Sequence, residues 1–137
     1  MKACALDYGT VRIGVAVADE LGLYAHPRPV ISARNTGRML QAIEDLVRED
    51  EITHIVVGLP LDMKGGEGGS AMAARQFAGK VANATKLTIE LWDERLSTAQ
   101  ANRSLKEHFS AKKSRARIDS AAACVILQSW LEARSNL

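Results

Sequence analysis

The sequence predicts an α/β fold: a mixed five-stranded sheet with helices on both faces, in the order β-β-β-α-β-α-β-α-α. Three observations carry this. The chain opens with two apolar runs, Ala3 to Leu6 and Ile13 to Val17, parted only by a short polar turn. Strands that lack a polar face lie inside a sheet rather than on a surface. Two later apolar runs, at 54–59 and 87–92, each follow a stretch of helical periodicity, as parallel strands joined by crossovers do. At 137 residues, 47% apolar and 25% charged, the chain has the size and composition of one domain, residues 1–137, able to bury a core without disulfides or metal staples.

The elements follow in order. Lys2 to Tyr8 and Val11 to Ala18 pair as a hairpin about Gly9-Thr10. Asp19 to Gly22 is a turn, and His26 to Ala33 is a third strand whose prolines suit a sheet edge. Thr36 is the expected N-cap of a helix carrying Met39, Leu40, Ile43, Leu46 and Val47 to about Asp50. ITHIVVGLP then reads as a buried parallel strand stopped by Gly58 and Pro60. Four glycines between Gly65 and Gly69 make a flexible loop, and Ser70 begins a helix to about Val81. Leu87 to Trp92 is the last strand. Ser97 or Thr98 caps a helix to His108, and Ile118 to Ala133 forms the final one.

Net charge is +2, but it is unevenly spread. Between Arg103 and Arg117 stand six basic residues against one acid, Glu107, so this segment carries +5 and the remainder −3. A basic patch on an acidic body selects an anionic partner, nucleic acid above all; a solvated surface loop is the plainer alternative. Cys4 and Cys124 sit in apolar runs without metal-ligand spacing and read as reduced core residues of a cytoplasmic protein. No run has the length of a membrane span, and the start is too short for a signal peptide.

Sites in open α/β sheets form at the carboxyl ends of the parallel strands. Asp7 ends the first strand, the bend from Gly58 to Asp62 ends another, and Asp93 and Glu94 end the last. The final helix starts at Ile118-Asp119-Ser120, which can bring Asp119 to the same edge. Three carboxylates converge readily only around a cation, and an all-oxygen set selects Mg²⁺ or Mn²⁺. Each acid also has a bland reading: Asp7 a turn former, Glu94 a surface partner of Arg95 or Arg12, Asp119 a charge on a helix dipole. His26, His54 and His108 are scattered, Ser70 and Ser97 lack a nucleophile elbow, and the glycine loop is no P-loop. Trp92 and Trp130 read as core.

Four segments together, ALDYGTVRIGVAVAD, VVGLPLDMKGGEG, LWDERLST and IDSAAACVILQSWL, resemble the YqgF (RuvX) family of ribonuclease H-like proteins over essentially the whole chain. The resemblance implies a ribonuclease H-like fold and metal-dependent phosphodiester cleavage. It places the catalytic and metal-binding acids on Asp7, Glu94 and Asp119. Around them fall Thr10, Arg12, Asp62 and Arg95, with Lys112, Lys113, Arg115 and Arg117 against the substrate backbone. Asp62 departs from the family pattern, where Asn is commoner. Two substrates are implied, the 5′ end of precursor 16S rRNA and the DNA Holliday junction, with the rRNA preferred. The implied partners are structured rRNA or branched DNA and ribosomal particles, for a monomer or homodimer. Two competing readings are a phosphate-binding kinase-like module and a non-catalytic nucleic-acid-binding protein of the same fold.

Overall fold

Side chains alternate between the two faces of a strand, and in this chain the alternation sorts residues by size. A computed structural model describes residues 1–108 and 119–135. Its elements are β1 (Ala3–Asp7), β2 (Arg12–Ala18), β3 (Ala25–Ser32), α1 (Thr36–Glu49), β4 (His54–Leu59), α2 (Gly69–Thr85), β5 (Ile89–Asp93), a 3₁₀ turn (Glu94–Leu96), α3 (Ala99–His108) and α4 (Ala121–Ser135). The strands form one mixed sheet in the order β3-β2-β1-β4-β5. β2 pairs antiparallel with β1 and β3, whereas β1–β4 and β4–β5 are parallel. The expected order and the edge position of the proline-bearing strand are both present.

One face carries Ala3, Ala5, Ala16, Ala18 and Val56, packed under Ile126, Leu127 and Trp130 of α4 and Leu105 of α3. The other carries Cys4, Leu6, Ile13, Val15, Val17, Ile55 and Val57, under Met39 and Ile43 of α1 and Phe77 and Val81 of α2. Helices therefore cover both faces. Small residues on the first face let α4 lie close to the sheet, and α4 in turn supplies the bulk. Trp130 belongs to this core and Trp92 packs against it; their indole N–H groups donate to Glu90 and Ser129. Cys4 and Cys124 are buried and form no disulfide; burial pushes the Cys4 thiol up to about 12.

Several boundaries differ from the sequence reading. Asn35, not Thr36, caps α1, accepting from the backbone N–H of Arg38 at 3.0 Å. α2 begins at Gly69 behind Gly68 and runs four residues past Val81, ending on Lys86 in the left-handed region. Ala82 and Ala84 favour the added turn, and the Thr85 hydroxyl closes it by donating to the Val81 carbonyl at 2.8 Å. Of the two proposed caps of α3, Thr98 does the work, its hydroxyl accepting from Ala101 N–H at 3.0 Å. Among the described residues no helix is long and apolar enough to cross a membrane.

Candidate active site

Asp7 ends β1 and Glu94 follows β5, two strands separated by β4. Neighbouring strands lie about 4.8 Å apart, so a side chain leaving the end of β5 must pass over β4 to reach Asp7. Gly58 opens that path. Leu6 pairs with Val57, which puts Gly58 beside Asp7. A methyl group on Gly58 would stand 2.7 Å from Glu94 Oε1 and 2.6 Å from Ile126 Cδ1. On the other side of Asp7, its register partner is Gly14. A methyl there would lie 3.5 Å from Asp7 Cβ and 3.6 Å from the carbonyl oxygen of Asp119. Two glycines thus clear the α4 side of the sheet edge for the acids.

Asp7 and Glu94 meet in a hydrogen bond between their carboxyl groups. Burial raises the Asp7 pKa, and the hydrogen bond from Glu94 offsets part of that rise. Glu94 is raised by burial, then by the charge of Asp7, by the hydrogen bond to Asp7 and by the charge of Asp93. Both carboxyls are thereby shifted toward the protonated form, with burial the leading cause in each.

Asp119 reaches this edge through Ser120. The β2–β3 register shifts between Ile13 and Val15, and the buried Ser120 hydroxyl sits at that irregularity. It accepts from Val15 N–H at 3.0 Å and donates to the Arg28 carbonyl at 2.8 Å. Farther along α4, Gln128 accepts from Ala25 N–H at 2.9 Å and donates to the Leu23 carbonyl at 3.0 Å. These two buried polar side chains fix where α4 begins against the sheet. Among the described residues, no three His, Cys, Asp or Glu side chains close on a single point. Asp7 and Glu94 are in contact, and the Asp119 backbone lies across Gly14 from Asp7.

The remaining expected site residues separate. Thr10 lines a cleft of about 210 Å³ together with Asp7, Tyr8, Pro60, Ser70 and Glu94. Arg12 is exposed at the start of β2. Arg95 does not pair with Glu94: it grips Asp93, with Nη2 2.7 Å from Oδ2, and holds the Asp93 carboxyl below its usual range. That pairing leaves Glu94 to Asp7. Asp62 turns away into its own loop, where Oδ1 accepts from Lys64 N–H at 2.9 Å and Gly66 N–H at 2.7 Å. It organises the glycine loop as an Asx turn. Lys112, Lys113, Arg115 and Arg117 lie outside the described residues. Sequence reading missed Ser120, Gln128 and Gly14; an irregular ladder more than a hundred residues away leaves no mark beside Ser120.

The fold is ribonuclease H-like, and the family and relatives that the chain matches make it a nuclease, a hydrolase of phosphodiester bonds. The fold is that of T. thermophilus RuvC in complex with Holliday junction substrate, at a TM-score of 0.70 and 16% identity over 99% of this chain and 96% of that one. It is also that of the fowlpox virus Holliday junction resolvase, at 0.56 and 14% over 97% and 99%. Residues 1–133 match the family model described as RuvX: Holliday junction resolvase, and the chain belongs to that family. A relative from Anaeromyxobacter sp. (strain Fw109-5) is 47% identical over 98% of both chains. One from Myxococcus xanthus (strain DK1622) is 47% identical over 97% of this chain and 89% of its own. Each is named "Putative pre-16S rRNA nuclease".

Proposed function

We propose that this nuclease trims the 5′ end of precursor 16S rRNA, and that Asp7, Glu94 and Asp119 are its catalytic acids. The observation that carries the assignment is Glu94 crossing Gly58 to meet Asp7 in one cleft. Two desolvated carboxylates repel unless a positive charge lies between them. The all-oxygen donor set fits a divalent cation in that position, Mg²⁺ or Mn²⁺. Asp7 and Glu94 would hold that ion, with Asp119 as the third acid. When bound, the ion supplies Lewis-acid polarisation of the phosphate and acidification of a water.

The chain's own residues do the rest. Thr10 and Ser70 line the cleft beside the acids, where their hydroxyls donate to phosphate oxygens. Arg12 at the rim and the basic residues Lys112, Lys113, Arg115 and Arg117 neutralise the backbone without reading sequence. Arg95, committed to Asp93, acts by holding the glycine loop rather than by touching phosphate. A single edge of acids cuts a single strand, so a cytoplasmic monomer working on ribosomal precursors suffices.

The names of the relatives at 47% identity favour the rRNA; the family description favours the four-way junction, which is the second reading. The test offers precursor 16S rRNA and a four-way DNA junction side by side, with Mg²⁺ or Mn²⁺. Wild type is expected to cleave the rRNA, and Asp7→Asn and Asp119→Asn to lose about a thousandfold in rate. Cleavage confined to the junction would transfer the enzyme to the second reading. Full activity in Asp7→Asn would overturn the site.

A further inference from the structure

A second, small cavity of about 70 Å³ adjoins the cleft above Asp7 and Glu94. The two cavities meet at Tyr8 and Ala73, and the second is lined also by Thr36 of α1 and by Gln76, Phe77 and Lys80 of α2. Along α2, Ser70, Ala73, Phe77 and Lys80 recur at three- and four-residue spacing, so one stripe of this helix floors both cavities. From Ser70 to Lys80 that stripe runs about 15 Å. Apart from the catalytic pair, no carboxylate lines either cavity, and the far end carries the ammonium group of Lys80. Small or polar residues make most of the floor; Phe77 is the exception, and it is buried. Its ring lies 4.9 Å from that of Tyr8, fixing the half-buried tyrosine at the point where the two cavities meet.

We infer that these two adjoining cavities together form a subsite for a single strand of nucleic acid. The strand leaves the scissile phosphate at Asp7 and Glu94, passes over Tyr8, and runs between α1 and α2 to Lys80. The inference rests on the nuclease reading and extends it. Its chemistry is that of a general single-strand track: an aromatic ring that stacks on any base and a cation that meets the backbone. Gln76 and Thr36 add neutral hydrogen-bonding groups to its walls, which suit sugar hydroxyls and phosphate oxygens alike. This track lies between α1 and α2, on the sheet face opposite α3 and α4. A substrate lying in it engages both faces of the sheet edge: the acids on the α4 side and the stacking ring on the α2 side.

The experiment measures equilibrium binding of fluorescein-labelled single strands of roughly twelve nucleotides, RNA and DNA in separate arms, in EDTA. Full-length wild type is compared with Tyr8→Ala, Tyr8→Phe, Lys80→Glu and a control, Lys86→Glu, at the exposed end of the same helix. Tyr8→Ala is expected to weaken binding roughly tenfold, while Tyr8→Phe, which keeps the ring, stays near wild type. Lys80→Glu is expected to weaken binding and to lower the slope of log affinity against log salt by about one. Lys86→Glu should change neither. In cleavage of whichever substrate wild type accepts, Lys80→Glu should raise KM with kcat preserved. Wild-type affinity and salt slope in Lys80→Glu would overturn the track, even if Tyr8→Ala proves unable to fold. Failure of wild type to bind either strand would overturn it too. The nuclease reading fails on a different result, the absence of any cleavage by wild type with metal.

Discussion

The two faces of the sheet solve different problems with the same alternation. Under α1 and α2 the strands present Leu6, Ile13, Val15, Val17, Ile55 and Val57, large side chains whose burial stabilises the fold by apolar area alone. Under α4 they present Ala3, Ala5, Gly14, Ala16, Ala18 and Gly58, and the helix is held by Ser120 and Gln128 as well as by apolar contact. Apolar packing tolerates small shifts of one element over another. Hydrogen bonds to single backbone groups do not, because distance and angle are narrow. The face that carries Asp119 and leaves space for Glu94 is the one built with the less tolerant interactions.

The sharpest way to break this contrast is one truncation on the first face and one enlargement on the second. Ile43 of α1, fully buried against the sheet, should lose about 3 kcal/mol of stability as Ile43→Ala. At a temperature where the variant is folded, kcat should match wild type. Gly58→Ala adds only a methyl, but that methyl would meet Glu94 Oε1 at 2.7 Å and Ile126 Cδ1 at 2.6 Å. Glu94 must move, and a displacement of that order at a reacting centre is worth about a hundredfold in kcat. Denaturant titrations beside cleavage rates would check both. A fall in kcat for Ile43→Ala as large as for Gly58→Ala would erase the distinction between the faces.

Much of this was legible in the chain, and the two faces explain what was not. The large face follows from periodicity: apolar runs, helical spacing and stop residues are local, so strand order and the acid at each strand end can be read directly. Asp7 and Glu94 were visible for that reason. The small face depends on register. That Gly14 stands beside Asp7, that Glu94 crosses β4, and that Ser120 fills a gap between Val15 and Arg28 are facts about residues far apart in sequence. Even Asp62, which looked like a further acid near the metals, is spent on a turn whose partners are its own neighbours.

Ser120 provides the next, smaller test. Ser120→Ala leaves the Val15 N–H and the Arg28 carbonyl without the hydroxyl that joins them, at a cost of about 2 kcal/mol. Gln128→Met removes the second polar anchor, about 12 Å along the helix, at a similar cost. Only the first lies next to Asp119. Calorimetric titration with Mn²⁺ should therefore show weaker binding in Ser120→Ala and wild-type binding in Gln128→Met. Equal metal affinity in the two variants would reduce Ser120 to a packing residue.

The smallest expected effect concerns the acids themselves. Burial raises the Asp7 and Glu94 pKa values in the folded protein, and the charge of Asp7 adds to the rise at Glu94, so the folded protein takes up protons more readily than the unfolded chain. A raised carboxyl pKa contributes stability that is complete below the unfolded value, near 4, and is lost as pH climbs through the folded value. Metal-free wild type should accordingly lose melting temperature as pH rises from about 4 to 7, by a few degrees more than Asp7→Asn does. Exposed pairs such as Arg95–Asp93 and Arg75–Glu67 push the other way, but weakly and equally in both proteins. Saturating Mg²⁺ at neutral pH should restore the difference in wild type alone, since the cation takes over the role of the proton. Parallel pH curves for the two proteins would show that the small face holds its acids no differently from the surface.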